Sequence, residues 1–295
     1  MKIVARRVLL VIAAGLVLAI VAGYGGALHP ALVSISLGRH LAATALIPVA
    51  LFLLALGAKR GGIAALAVAA FAGLPIFLGL INGGTTPEGP SISVHSRNLL
   101  AVNRRVEALA REIVATDSGV VFLQELSPAN MGLLDALAPS YPTQHFCPFS
   151  RWNGVAVLSR LPGTGESFCS ETRGFAGLRV ETETGPVWVV SVHLVWPWPY
   201  RQQAVVDREL PRLAALERPV ILGGDFNAAP WSRPVRQIEE VTGTRRAGPI
   251  RYTIAPHGVP LPIDMVLGPG GGLMERRPGV GSDHRGLVAR LALAP

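Results

Sequence analysis

The sequence predicts an α/β fold, a four-layer sandwich of two mixed β-sheets flanked by helices, preceded by three transmembrane helices. Three observations predict it. Long uncharged stretches are confined to residues 1–85. Beyond them, short buried runs and amphipathic helical spacings alternate at both ends of residues 91–295, with a series of strand-like segments between. Several of these apolar runs end in polar residues, the position where open α/β sheets bind ligands.

The membrane segment follows from length and charge. Residues 8–28, 41–57 and 61–81 carry no charged side chain, and a helix needs about 20 apolar residues to cross a bilayer. A cleavable signal peptide is the rival for the first stretch, given its basic start, but the spans that follow argue against it. Lys2, Arg6 and Arg7 precede the first span, Lys59 and Arg60 separate the second from the third, and Arg39 alone lies between the first and second. By the positive-inside rule the N-terminus and the second loop are cytoplasmic, so three crossings export everything that follows. Residues 1–85 are thus expected to be a membrane domain, 86–90 a linker and 91–295 one exported domain.

The net charge of +8 is mostly topological. Residues 1–90 hold 6 basic residues and 1 acidic one, leaving 21 basic and 18 acidic residues in 91–295. A net +3 on the exported part is no strong electrostatic footprint for nucleic acid. Intramembrane ionisable residues, which a transporter or channel needs, are absent from the three stretches.

Within the exported part, residues 91–97 read as a strand and 103–116 as a helix with Val106, Leu109, Ala110 and Ile113 on one face. A buried strand at 119–123 is followed by a helix opened by Ser127-Pro128 and running to about 138. Strands are expected at 143–146, 154–158, 165–168, 177–183 and 187–195, then a helix at 201–216. Strands at 220–224, 263–267 and 286–293 complete the domain. The glycine-rich stretch 268–272 opens no helix and reads as a turn, not a phosphate cradle. Cys147 and Cys169 are the only cysteines, and a disulfide and two buried thiols are equally compatible with the sequence.

The chemistry concentrates at strand ends. Gly224-Asp225-Phe226-Asn227 closes an apolar run, and Gly281-Ser282-Asp283-His284 precedes the last strand. Asn98, Gln124-Glu125, His193 and Asp264 occupy similar positions on other strands. Carboxylates, amides and imidazoles in this combination suit phosphate ester hydrolysis, which needs ligands for a divalent cation, a base for water and donors for a charged transition state.

In this order, these motifs resemble the endonuclease/exonuclease/phosphatase superfamily, which includes DNase I-like nucleases, inositol polyphosphate phosphatases and bacterial sphingomyelinases. Bacterial membrane-anchored members with a few N-terminal spans are the most similar. The resemblance covers residues 91–295 and implies a role for each matching position. Glu125, Asp283 and Asn98 resemble the residues around Mg2+, with Mn2+ as the alternative metal. Asp225 resembles the aspartate that orients or deprotonates the attacking water, and Asn227, like Asn98, an amide that holds a phosphate oxygen or a carboxylate. His193 sits where relatives contact phosphate. His284 resembles the histidine that stabilises the pentacovalent centre, with Asp264 as its partner. Arg151 and Asn153 fall in a loop that faces substrate in the family.

Arg97 before Asn98, Leu100 two positions after it and Arg285-Gly286 after His284 depart from the family pattern. The resemblance implies a Mg2+-dependent phosphodiesterase of nuclease type in the bacterial inner membrane, with its catalytic domain outside the cytoplasm and no protein partner. A lipid phosphodiesterase or phosphoinositide phosphatase is the alternative, favoured by the Trp196-Pro197-Trp198-Pro199-Tyr200 stretch, which suits base stacking or the lipid headgroup level. A non-catalytic binding protein on the same fold is expected to have lost Glu125, Asp225, Asp283 or His284, and all four are present.

Overall fold

The computed structural model describes residues 1–150, 153–171 and 173–293. Four helices come first: α1 (Lys2–Ala22), α2 (Pro30–Leu37), α3 (Arg39–Ala55) and α4 (Lys59–Asn82). The 21 residues of α1 span roughly 31 Å at the α-helical rise, close to the hydrocarbon thickness of a bilayer. Ala43 and Ala50 of α3 and Ala65, Ala69 and Ala72 of α4 are buried between the helices. Such small residues let apolar helices approach closely. Val11, Leu18, Phe71 and Phe77 face outward.

Two helices are each long and apolar enough to cross a membrane, Lys2–Ala22 and Lys59–Ile81; α2 and α3 reach that length only as a pair bent by 57°. This alters the expected middle of the segment. The stretch between the first two spans is not a simple loop, because Pro30 starts α2 after an N-cap from the His29 ring. Arg39 is no solvated loop charge either; it is buried at the α2–α3 corner with its guanidinium over the Tyr24 ring.

The remaining chain forms two sheets. The first contains β1 (Ser91–Asn98), β2 (Val120–Leu126), β3 (Thr143–Ser150) and β4 (Asn153–Ser159), followed late in the chain by two more strands. Helices α5 (Val106–Ala115) and α6 (Gly132–Leu137) cover its outer face. The second contains β5 (Gly163–Cys169), β6 (Phe175–Thr182), β7 (Gly185–His193), β8 (Val220–Asp225), β9 (Arg245–Arg246) and β10 (Asp264–Gly268), covered by α7 (Gln202–Ala214) and α8 (Arg233–Thr242). β11 (Gly272–Arg276) and β12 (Leu287–Ala292) return to the first sheet. The strand orders are β11-β12-β1-β2-β4-β3 and β5-β6-β7-β8-β10-β9. β1–β2 and β7–β8 are parallel and the other pairs antiparallel.

Burial on both faces explains the continuous apolar runs. Along β2, Val120 and Phe122 point into the layer between the sheets, while Val121 and Leu123 meet the helices outside. Along β8, Ile221 points inward and Val220 and Leu222 outward. A disulfide between Cys147 of β3 and Cys169 of β5 joins edge strands of the two sheets, which resolves the alternatives left open by the sequence.

Three local expectations need correction. Ser127-Pro128 begins a turn, not a helix: the Ser127 hydroxyl donates to the Ala101 carbonyl and accepts from the Ala129 N–H, and helix starts only at Gly132. α8 was not anticipated; its apolar positions Val235 and Ile238 are few, and tertiary burial decides it. β11 was also missed, because it is short and half exposed.

The two glycines before Asp225 have separate causes. A Cβ on Gly223 would enter the Phe122 ring of the facing sheet, and one on Gly224 would run into the Val192 carbonyl of the neighbouring strand. Gly224 also has φ +154°, outside the range that side-chain-bearing residues favour. Gly224→Ala is therefore expected to destabilise the domain by at least about 3 kcal/mol, read as a lowered thermal midpoint; an unchanged midpoint would show that the strands separate freely here.

Candidate active site

Each candidate residue sits where a strand gives way to a loop, and the two sheets bring these ends together. β1 ends at Asn98 beside Gln124 of β2. The β2–β4 ladder then shifts register between Gln124 and Leu126, and Glu125 adopts φ +60°. Left-handed backbone in a non-glycine residue persists where its surroundings hold it. Here the Asn98 amide donates to Glu125 Oε1 (3.1 Å), the Ala101 N–H to Oε2 (2.9 Å), and the Asn130 amide to the Glu125 carbonyl (3.2 Å).

The second sheet presents three side chains in register. His193 pairs with Asp225 across the parallel β7–β8 ladder, and Asp264 pairs with Asp225 across the antiparallel β8–β10 ladder. Asp225 accepts from the Asn98 amide (3.0 Å), the Asn227 N–H (2.8 Å) and the Asn227 amide (3.3 Å). The Asn227 amide also donates to the Leu194 carbonyl at 2.8 Å. His193 Nε2 lies 3.8 Å from both Glu125 Oε1 and Asp225 Oδ2.

His284 arrives from the last loop. Its Nδ1 is 2.8 Å from Asp264 Oδ2, and its Nε2 faces Asp225 at 3.9 Å. The Ser282 hydroxyl donates to the Asn98 carbonyl and accepts from the His284 N–H, tying that loop to β1. Thr253 fixes the other side, its hydroxyl accepting from the Asp264 N–H and its carbonyl from the Arg285 N–H.

A cleft of about 270 Å3 lies over these groups. Glu125, His193, Asp225, Asn227, Asp283 and His284 line it, as does Asn153 at the start of β4. Arg151 lies outside the described residues. Arg173, Trp196, Tyr200 and Ile254 complete the wall. Sequence reasoning did not single out Arg173 or Thr253, which stand in loops and carry no motif, and gave no role to Ser282 within the Gly281-Ser282-Asp283-His284 motif. Of the structure's groupings, His145 with the two cysteines is claimed by the disulfide, which leaves no thiolate to bind a metal.

Arg97, the departure noted before Asn98, is wholly buried behind the site. Its guanidinium donates to Glu112 and to the carbonyls of Pro278 and Gly279, each at 2.8 Å. Arg97 thus fastens the loop that carries Asp283 and His284 onto β1. A buried guanidinium is tolerated because its donors are used and its charge is paired.

Burial and charge set the protonation states. Burial raises Asp225 to about 7, and the Asp264 carboxylate adds to the rise. Burial lowers His193 to about 4, against the pull of Glu125. For His284 burial acts downward, but the Asp264 and Asp225 carboxylates outweigh it and raise the imidazole to about 10. At neutral pH His193 is neutral and His284 is an imidazolium.

The residues present fit a divalent cation. Glu125 and Asp283 offer hard oxygen atoms at the cleft, the donor type that Mg2+ takes; Asn98, expected beside the metal, instead turns its nitrogen to Glu125 and Asp225 while its Oδ1 accepts from the Leu100 N–H. His193 Nδ1, Asn153 Oδ1 and Asn227 Oδ1 are buried without partners among the described residues, so the floor presents polar atoms that a ligand or water would satisfy. Asp225, Asp264 and His284 also come within 4.8 Å of one another. With Nδ1 engaged by Asp264, that trio is arranged to hold a proton on His284.

Because its folded-state value is raised, His284 contributes stability that is full below its unfolded value, about 6.5, and is lost as pH rises through about 10. A histidine NMR titration should find His284 still protonated at pH 8, and Asp264→Asn should bring its midpoint down by two units or more, roughly 3 kcal/mol in the pairing. An unshifted midpoint in the variant would remove Asp264 as its cause.

Comparison with solved structures places the same fold elsewhere. Truncated TDP2 from Caenorhabditis elegans matches with TM-score 0.54 and 18% identity, over 69% of this chain and 98% of that one. Sphingomyelinase C from Streptomyces griseocarneus matches with TM-score 0.52 and 20% identity, over 69% and 100%. An endonuclease/exonuclease/phosphatase from Beutenbergia cavernae matches with TM-score 0.53 and 19% identity, over 70% and 72%. No curated protein matches the sequence. At these identities the structures establish the fold, and the family follows from the sequence itself: residues 81–284 match the Endonuclease/Exonuclease/phosphatase family, to which this chain belongs.

Proposed function

We propose that this protein is a membrane-anchored, Mg2+-dependent phosphodiesterase that cleaves by in-line attack of water. The observation that carries this reading is the convergence of Glu125, Asn98, Asp225, Asn227, His193 and the Asp264–His284 pair on one cleft. A divalent cation held by Glu125 and Asp283, with Asn98 bracing Glu125, would supply positive charge to a phosphoryl oxygen.

The chain's own residues do the rest. Asn98 and the Asn227 amide donate to Asp225 Oδ2 and the Asn227 N–H to Oδ1, so the carboxylate is fixed in orientation at the cleft, where its remaining lone pairs orient water. Its raised value makes it a competent proton acceptor near neutral pH. His284, kept cationic by Asp264, directs Nε2 toward the position where phosphoryl charge develops. Neutral His193 and the Asn227 amide provide dipoles on the opposite wall, and Arg173 adds a cation at the rim. Asn153, with its unpartnered carbonyl oxygen, is placed to meet the substrate's polar groups.

Nucleic acid and a phospholipid headgroup both contain the required diester. The lipid reading gains support from the cleft mouth, where Trp196, Trp198 and Tyr200 are exposed next to the membrane helices, as amphipathic rings are at headgroup level. Asp225→Asn is expected to lower phosphodiester hydrolysis by at least about 10²-fold, and chelation of divalent cations to abolish it. Assays of the full chain on single-stranded DNA, RNA, sphingomyelin and phosphoinositide vesicles check this and separate the substrates. Full activity after either treatment would sink the mechanism.

For topology, we read three crossings with the catalytic domain outside the cytoplasm. The basic residues Lys2, Arg6, Arg7, Lys59 and Arg60 fall at one end of the helices. At the opposite end Gly26, Ser36 and Gly79 bond to the catalytic domain. The Cys147–Cys169 disulfide suits an oxidising compartment. A reporter fused after Pro295 should read as exported, and a cytoplasmic signal would overturn the assignment.

A further inference from the structure

The α2–α3 corner does more than end a membrane helix. Three loops that carry the site residues land on it. In the loop after β7, which begins at His193, the Trp198 carbonyl accepts from the Ser34 hydroxyl at 2.9 Å. In the loop after β8, which holds Asp225 and Asn227, Trp231 Nε1 donates to the Ser36 carbonyl at 2.8 Å. In the strap that leads into Asp264, the Pro260 carbonyl lies 3.2 Å from His40 Nε2.

The corner is built for these contacts. Arg39 is 6% exposed and His40 6%, both unusual burials for charged or polar residues in an apolar helix. The Arg39 guanidinium lies between the Tyr24 and Trp231 rings, 4.1 and 5.5 Å from their centroids. The His40 ring lies 5.6 Å from Trp231 and 5.7 Å from Tyr252. The domain that follows supplies much of this burial: Trp231 and Tyr252 pack on the His40 ring, Trp231 also faces the Arg39 guanidinium, and the Pro260 carbonyl meets His40 Nε2.

The strap gives the contact its reach. Leu261, next to Pro260, exchanges backbone hydrogen bonds with Thr253 and Ile254. Thr253 in turn accepts from the Asp264 N–H and the Arg285 N–H, so it braces both sides of the Asp264–His284 pair. Ile254 lines the cleft itself. From His40 to that pair the path is therefore one hydrogen bond, one short backbone hairpin and one threonine.

We infer that the α2–α3 corner is a positioning element of the active site: His40, with Arg39 and the Ser34 and Ser36 contacts, holds the loops that aim His193, Asp225 and the Asp264–His284 pair. The membrane segment completes the geometry of the site in addition to anchoring it. His40 touches no reacting group and acts through the strap.

The test uses the full chain in lipid nanodiscs. The kinetic arm rests on the phosphodiesterase reading above; the hydrogen-exchange arm does not. His40→Ala is expected to lower kcat by roughly 10- to 100-fold, as a displacement of about 1 Å at reacting groups does, with KM within about twofold. His40→Gln, whose amide restores an N–H toward the Pro260 carbonyl, should recover most of the loss. Amide exchange at Asn227, Thr253 and Asp264 should quicken in His40→Ala and return in His40→Gln. Trp231→Phe keeps a ring and removes one donor, and should reproduce a smaller kcat loss; it carries the test alone should His40→Ala lose its cooperative melt. Wild-type kcat and wild-type exchange in both variants would overturn the inference, as would a kcat loss with unchanged exchange. A wild-type protein without divalent-dependent hydrolysis would sink the functional reading, and the exchange data would still decide the role of the corner.

Discussion

One side chain amide holds the site together. Asn98, at the end of a strand in one sheet, donates from the same nitrogen to Glu125 in its own sheet and to Asp225 in the other. Two carboxylates from separate layers are thereby kept at hydrogen-bond distance from a single neutral group. That arrangement adds Glu125 of the first sheet to the Asp225–Asp264 pair of the second. The features around it follow: the bulge that turns Glu125, the left-handed Asn227, and the serine and arginine that bring the last loop back onto β1.

Concentrated buried carboxylates need compensation, and the structure supplies it unevenly. Asp264 is answered by the His284 imidazolium at 2.8 Å. Burial and the neighbouring Asp264 push Asp225 toward its protonated form, and the His284 imidazolium and the neutral donors Asn227 and Asn98 offset this only in part. Glu125 is held by an amide and a backbone N–H and opens onto the cleft. The paired and the unpaired carboxylates thus differ in task, Asp264 fixing a proton on histidine and Glu125 and Asp225 facing the cleft.

The relation between anchor and site is the less expected part of the molecule. The solved structures named above match about two thirds of this chain, and the family match begins at residue 81, after most of the N-terminal helical segment. Here that segment meets three loops around the cleft through one corner, built on a buried arginine and histidine. The exposed rings of Trp196, Trp198 and Tyr200 stand at the same boundary.

The sequence by itself determined the fold class, the strand ends that carry chemistry and the family. Apolar runs buried on both faces leave a continuous signal, and Asp225-Phe226-Asn227 and Asp283-His284 are local motifs with a fixed order. It also exposed the glycine pair before Asp225, though not that Gly223 yields to Phe122 of the facing sheet while Gly224 yields to its neighbouring strand. Only the tertiary structure decided which residues support the motifs. Arg97, Thr253 and Arg173 lie far in sequence from groups they serve, as with Arg97 and Gly279, and a single supporting residue carries no periodicity; Ser282 stands inside the last motif, but its bond to the Asn98 carbonyl is a tertiary contact. The same holds for α2 and the Arg39–His40 corner: their role depends on burial against a domain that follows some 190 residues later, at Trp231, and burial of that kind is a property of packing, not of local sequence.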